Sequence, residues 1–418
     1  MSIKRIRVTN FKSFKELEVE FGKFNVLIGA NASGKSNFVQ IFEFLRDIAN
    51  FGLNNAVSMQ GGVEYLRNIN VGASENLSVK VVSEQEVGFL GRRTKEGLIG
   101  IKTYETTYEF ELKFRKKRSG FEIAKDNLTQ KCKFVRVELE KEKRKIKKEE
   151  EIGQGEIILS RANGKVKIEL RKPVQIPIKE DDLYPSFLRE EKLPPNTLLL
   201  QSPFLCPLGH IFGDIISIYD FDPKLPKKAT PITGKAELEE DGNNLAIILR
   251  NITENKEERR RLFNLVKDLL PFISNLGVEK FADKSLLFKL QEIYFKNQYL
   301  PASLISDGTI NITALIVALY FEEKPLTIIE EPERNIHPYL ISKVVDMMKD
   351  ASQKKQIIAT THNPEMVKYA GLDNLLLVSR DEKGFSTISR PVDKEEVKIF
   401  LQNEIGIEEL YVQNLLGV

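Results

Sequence analysis

The chain has 418 residues, with 63 Lys and Arg against 60 Asp and Glu, a net charge of +3, 41% hydrophobic and 29% charged residues. This is the composition of an ordinary soluble globular protein, and so small a net charge does not by itself imply a nucleic-acid or membrane partner. No apolar run reaches the roughly 18 residues that a membrane-spanning helix needs, and the start lacks a secretory signal, so a cytoplasmic protein with no membrane partner is expected.

Residues 3–28 predict two strands and then a third. Leu17, Val19 and Phe21 alternate with Glu18 and Glu20, the period of a half-buried strand, and the apolar run at 25–28 leads into a glycine loop. That loop is Gly29-Ala30-Asn31-Ala32-Ser33-Gly34-Lys35-Ser36, the GxxxxGK[ST] pattern, followed by Asn37. Small residues let backbone N–H groups curl around phosphates at a helix N-terminus whose dipole favours anions. In such a loop Lys35 reaches the β- and γ-phosphates of ATP and Ser36 binds Mg²⁺. The helix it opens is expected at 36–50, with Phe38, Ile41, Phe42 and Leu45 at helical spacing.

Residues 77–170 alternate short runs rich in Val, Thr, Tyr, Phe and Ile with charged or glycine turns, and predict antiparallel strands at 106–114, 121–124 and 165–170. The charge run at 138–151 is expected to be a solvated helix or mobile loop, and the proline-rich 171–235 mostly loop. Helical spacing returns at 236–273. From 306 onward helix and strand alternate, as in an α/β fold with a largely parallel sheet. Cys132 and Cys206 form no CxxC pair, so no zinc site is expected.

Three further motifs lie in this last part. At 326–333 an apolar strand ends in Glu330 and Glu331, a Walker B shape in which one acid holds the metal and the next polarises water. Ser306-Asp307-Gly308 opens a helix and suits an N-cap. A strand at 357–361 ends in His362. Each motif alone also reads as a plain turn, cap or strand end; their order along the chain gives them joint meaning.

In that order the chain resembles the ABC class of ATPases, and more narrowly the predicted ATPases related to RecF, SMC and the OLD (overcoming lysogenization defect) proteins. The similar segments include Val8-Thr9-Asn10-Phe11-Lys12 before the loop, the run from Glu330 to Pro338, Thr360 to Pro364, and the ending from Glu408 to Gly417. The resemblance implies a P-loop NTPase of ABC type with an antiparallel β subdomain and a helical lid insert. It implies an ATPase head at 1–76, a β-rich insert at 77–235, a helical lid or short arm at 236–300, the rest of the head at 301–395 and a helical tail at 396–418.

It further implies a homodimer that sandwiches ATP and Mg²⁺ head to tail, Ser306, Asp307 and Gly308 of one chain facing the γ-phosphate held by Lys35 of its twin. Glu331 would activate water, His362 would sense the γ-phosphate, residues 335–337 would lie at the seam, and Ser36, Glu330 and Gln60 would serve the metal. Too little chain follows His362 for the Toprim nuclease domain of OLD proteins, so an effector such as a nuclease is expected as a partner. The class suggests DNA repair or phage defence; an ATP-switched scaffold and a transporter subunit are the competing readings. Basic clusters at 92–95, 113–118, 141–148 and 259–261 offer phosphate contacts to DNA, or solvated faces.

Overall fold

The structure is a computed structural model. It describes residues 2–94, 97–115, 120–139, 146–162, 164–183, 192–202, 210–213, 215–281, 284–295, 298–402 and 405–417. Cys206 and parts of the clusters at 92–95, 113–118 and 141–148 lie outside the described residues or side chains. The chain divides into two compact units, one of Met1–Phe21, Ser36–Ile215 and Arg380–Ile388, the other of Gly22–Lys35, Ile216–Ser379 and Ser389–Val418.

In chain order the strands begin with β1 (Ser2–Phe11), β2 (Phe14–Glu20) and β3 (Phe24–Ile28). The middle supplies β4 (Leu77–Thr94), β5 (Gly97–Phe114), β6 (Phe121–Leu139), β7 (Ile146–Ala162) and β8 (Lys165–Arg171). Then come β9 (Ile216–Tyr219), β10 (Thr230–Pro231), β11 (Ile273–Phe281), β12 (Ser285–Glu292) and β13 (Leu300–Pro301). The last are β14 (Leu326–Glu330), β15 (Gln356–Thr361), β16 (Leu375–Arg380) and β17 (Ser386–Ser389).

The first unit is built on a seven-stranded antiparallel sheet, order β2-β1-β4-β5-β6-β7-β8. The helix Lys35–Phe51 buries Phe38, Phe42 and Phe44. Phe44 packs on Phe11 of β1 and Phe110 of β5 at ring distances of 6.0 and 6.4 Å. Residues 146–151, part of the charge run expected as helix or loop, are strand: their Glu side chains find cations across the sheet, as Glu149 does with Lys102 at 2.6 Å.

In the second unit five strands of a six-stranded sheet run parallel in the order β16-β3-β15-β14-β9. Strand β3 is buried along its whole length. The helix Asp307–Tyr320 is buried from Thr309 to Leu319 and joins one hydrophobic core with the helices Leu245–Glu254, Lys256–Leu269 and Pro338–Ala351. Residues 236–300 depart from the expected helical lid. Among the described residues of this span helix is confined to Leu245–Glu254 and Lys256–Leu269, and β11 pairs antiparallel with β12, where Leu286, Phe288 and Leu290 alternate inward at the strand period. The α/β fold with an antiparallel subdomain is as expected. Among the described residues no helix is long and apolar enough to cross a membrane.

Candidate functional site

Strands β3, β15 and β14 are neighbours and end in register, with Ile28 opposite Thr361 and Thr360 opposite Glu330. Parallel strands lie about 5 Å apart, so the loops that follow these three ends fall within about 10 Å of one another. The carboxyl edge of such a sheet is where open α/β folds place ligands. The loops are the glycine loop, the Glu331 turn and the His362 turn, in three of the four sequence motifs.

The glycine loop is set by backbone rather than side chains. Gly29 has φ 152° and Gly34 φ 122°, and a Cβ on Gly29 would stand 2.3 Å from the Val378 carbonyl oxygen. Ala32 also takes a left-handed φ of 61°. Ser33 is buried, while Ala30, Asn31 and Ser36 are exposed. Lys35 Nζ donates to the Gly29 oxygen at 2.7 Å and the Ala30 oxygen at 3.1 Å. Burial pulls its ammonium below the ordinary lysine value, against the opposing pull of Glu331 and Glu330. The Tyr411 hydroxyl, from the far C-terminal segment, donates to the same Gly29 oxygen at 3.4 Å.

Glu331 leaves β14 with a left-handed φ of 45°, and its N–H donates to the Thr360 oxygen at 2.9 Å. So unusual a backbone in a non-glycine residue directs the side chain and is held only where neighbours enforce it. Oε1 lies 2.9 Å from His362 Nδ1. Oε2 accepts from Arg334 Nε at 3.3 Å and from a terminal guanidinium nitrogen at 3.2 Å. The other terminal nitrogen donates to Asp220 at 2.7 Å and to the Phe221 carbonyl at 3.3 Å. Burial works against the Arg334 charge, but Asp220 and Glu331 more than offset it and hold the guanidinium above its usual value.

Below this pair lies Glu333. The Asn363 N–H donates to Thr361 Oγ1 at 2.9 Å, and Thr361 O–H in turn donates to Glu333 Oε1. Oε2 of Glu333 is buried with no hydrogen-bond partner among the described residues, and burial raises its carboxyl above the usual range.

Ser306 caps the helix Asp307–Tyr320, accepting from the Thr309 N–H at 3.2 Å. Asp307 pairs with Lys227 at 2.5 Å. Gly308 is pressed onto the Glu331 turn: a Cβ there would meet the Asn335 oxygen at 2.5 Å, and Asn311 donates to the Arg334 oxygen at 2.7 Å. His337 caps the next helix, Pro338–Ala351.

Three expected residues, Ser36, Asn37 and Gln60, belong to the first unit. Asn37 donates to Ser13 Oγ at 2.8 Å, which also accepts from the Ser386 hydroxyl at 2.8 Å. Gln60 ends the helix Leu53–Met59, 8% exposed, with Oε1 unpartnered among the described residues. The sequence reading gave no role to Arg334, Asp220, Glu333, Thr361 or Tyr411. Asp220 follows a strand with no motif, so nothing in the sequence marks it. No set of three His, Cys, Asp or Glu among the described residues is grouped to hold a metal by itself. The Ser36 hydroxyl and the Glu330 carboxylate are each an oxygen donor of the kind that magnesium takes.

The protein family described as "AAA domain, putative AbiEii toxin, Type IV TA system" matches residues 24–368. Septu protein PtuA of Bacillus thuringiensis is 39% identical over 57 residues, 14% of this chain and 14% of that protein. Septu protein PtuA of Bacillus mycoides (strain KBAB4) is 29% identical over 117 residues, 25% of this chain and 16% of that protein. The chain thus matches less than a fifth of the length of either relative. Of solved structures, the SMC head domain from Thermotoga maritima aligns with 93% of this chain and 99% of its own, at TM-score 0.42 and 14% identity. An Smc head domain with an extended coiled coil, derived from Pyrococcus furiosus and bound to the C-terminal domain of ScpA, aligns with 96% and 99%, at TM-score 0.46 and 16% identity.

Proposed function

The chain belongs to this AAA-domain family of ATPases, and on that premise we propose that it binds Mg·ATP on residues 29–36 and hydrolyses it with Glu331 as the general base. The observation that carries the reading is the position of Glu331: at the end of a strand one removed from the glycine-loop strand, with one carboxylate oxygen facing His362 and the other facing Arg334. A base must be aimed before it can act, and two fixed partners aim it.

In this reading Lys35 exchanges the Gly29 and Ala30 carbonyls for phosphate oxygens, and the backbone of Ala30 to Ser33 wraps the rest. Ser36 and Glu330, with Gln60 as the further candidate, would hold a magnesium ion brought with the nucleotide, which would neutralise charge at the phosphates. Glu331 takes the proton of the attacking water. His362 keeps its Nδ1 proton on Glu331, which leaves Nε2 to report on the γ-phosphate.

Two chains would share each nucleotide, the Ser306 helix start of one chain capping the phosphate of the other. A role in DNA repair or phage defence, with a separate effector such as a nuclease, comes from the resemblance to the RecF, SMC and OLD group. Steady-state turnover tests the core of the reading. Glu331→Gln is expected to retain ATP binding and lose at least about 100-fold in kcat, while Lys35→Ala loses affinity. Parental turnover by Glu331→Gln would remove Glu331 from the role of base.

A further inference from the structure

The cations of this chain differ in whether they are neutralised. In the antiparallel sheet they are matched across strands: Lys125 to Glu109 at 2.8 Å, Lys131 to Glu105 at 2.7 Å and Lys133 to Glu151 at 3.0 Å. The helix Lys256–Leu269 is different. Its Arg261 is engaged, 3.8 Å from Glu258 and with its guanidinium 5.1 Å from the ring centre of Phe321. The side chains of Lys256, Arg259 and Arg260 make no ion pair or hydrogen bond with any described residue.

These three line a cavity of about 330 Å³. With Phe263 they fall at positions i, i+3, i+4 and i+7, one face of the helix. Glu257 and Glu258 point about 100° and about 200° round the helix from Lys256, and no carboxylate lines the cavity. The polar groups of the wall are already engaged: Thr253 donates to the Leu249 oxygen at 2.7 Å, Ser274 to the Gln291 oxygen at 3.1 Å and Asn275 to the Tyr299 hydroxyl at 2.7 Å. Unmatched hydrogen-bonding capacity in the wall is therefore cationic. Three like charges on one helical turn repel, which an anion between them relieves.

We propose that this cavity binds a small phosphorylated ligand of nucleoside-monophosphate size, at a site separate from the glycine loop. Arg259 and Arg260 take the phosphate, as paired guanidinium forks do, and Lys256 adds a third charge. Phe263, Leu262 and Leu276 form the apolar wall for the ring. A concave, partly apolar cavity of this volume suits a small ligand, whereas a nucleic-acid strand needs a longer run of phosphate contacts.

The test uses the full chain carrying Lys35→Ala, so that the glycine loop contributes little, and isothermal titration with AMP, adenosine and a single-stranded oligodeoxynucleotide. AMP is expected to bind and adenosine to give no heat. Adding Arg259→Gln and Arg260→Gln should weaken AMP by at least about tenfold. Both arginines are exposed, so the melting temperature should stay within about 2 °C of the Lys35→Ala parent. AMP affinity indifferent to the two arginines overturns the proposal. So does heat from the oligonucleotide alone, or silence toward AMP.

Discussion

Arg334 touches Glu331 with two nitrogens and Asp220 with the third, so its guanidinium is a strut between the strand ends of β14 and β9. Among the described residues its hydrogen bonds and ion pairs go to Glu331, Asp220 and Phe221 and none to the glycine loop. In the proposed mechanism it would act through Glu331 as a positioning residue, and Arg334→Met is expected to lower kcat on the order of tenfold to hundredfold, the penalty for a loosely aimed catalytic group. ATP affinity should move by less than about threefold, since the phosphate grip is untouched. A nucleotide titration beside a turnover assay separates the two, and parental kcat would mean that His362 alone suffices to hold Glu331. A second residue, Asp126, has its consequence in stability. It is 1% exposed, accepts from the Tyr108 hydroxyl at 2.9 Å and the Leu199 N–H at 2.8 Å, and burial nevertheless pushes its carboxyl up to about 7. In an unfolded chain the group titrates near 3.9. Below that value both states are protonated and the contribution is whole. Between about 4 and about 7 the unfolded chain ionises while the folded one keeps its proton, so stability falls with rising pH, by on the order of 4 kcal/mol. Urea unfolding at pH 5 and pH 8 reads this directly: the parent should lose more stability over that interval than Asp126→Asn. Equal losses would show that Asp126 is ionised in the native protein.

At the scale of elements, β3 and β14 are legible in the sequence because each is a short apolar run, which only a strand covered on both faces can bury before a glycine or acidic turn. The helix at 307–320 is legible from its cap and its length. The strands between 77 and 162 are read too short. Their charged stretches resemble turns, yet β4 and β5 run 18 residues and β6 runs 19, because a lysine on one strand faces a glutamate on the next. Pairing of that kind is a property of register, which local composition does not contain. The same limit hides half of the candidate site. Lys35, Glu331 and His362 sit in motifs, whereas Arg334 finds Asp220 across 114 positions of chain. Gly308 is a case in which a motif residue has a packing reason visible only in three dimensions. Its α-carbon abuts the Asn335 carbonyl so closely that an added methyl would stand 2.5 Å from the oxygen. Backbone must then move, and Gly308→Ala is expected to destabilise the fold by roughly 1–3 kcal/mol. Thermal melts of the two proteins decide it; an unchanged midpoint would mean that the helix start and the Asn335 turn separate freely.

At the scale of the whole molecule, the open question is how many chains complete one site. Within a chain, the Ser306 helix start is fastened to the Glu331 turn through Gly308 and Asn311, and Asp307 to Lys227. Its capping residue Ser306 is exposed, and so is the large apolar side chain of Leu304 two positions before it. A helix start that meets solvent with an apolar neighbour suits an interface, and an anion is what such a start attracts. Blocking hydrolysis should then trap the pair. With Glu331→Gln and saturating Mg·ATP, light scattering on a sizing column is expected to read twice the 47.8 kDa of one chain, and to return to one chain when ATP is left out. Ser306→Arg in the same background keeps Lys35 and the glycine loop intact, so it should still bind ATP yet remain a single chain, its bulk standing where the partner's phosphate would dock. A lone chain in Glu331→Gln under saturating ATP would mean that the phosphate is gripped from one side only, and the shared site would have to be replaced by one built from a single glycine loop.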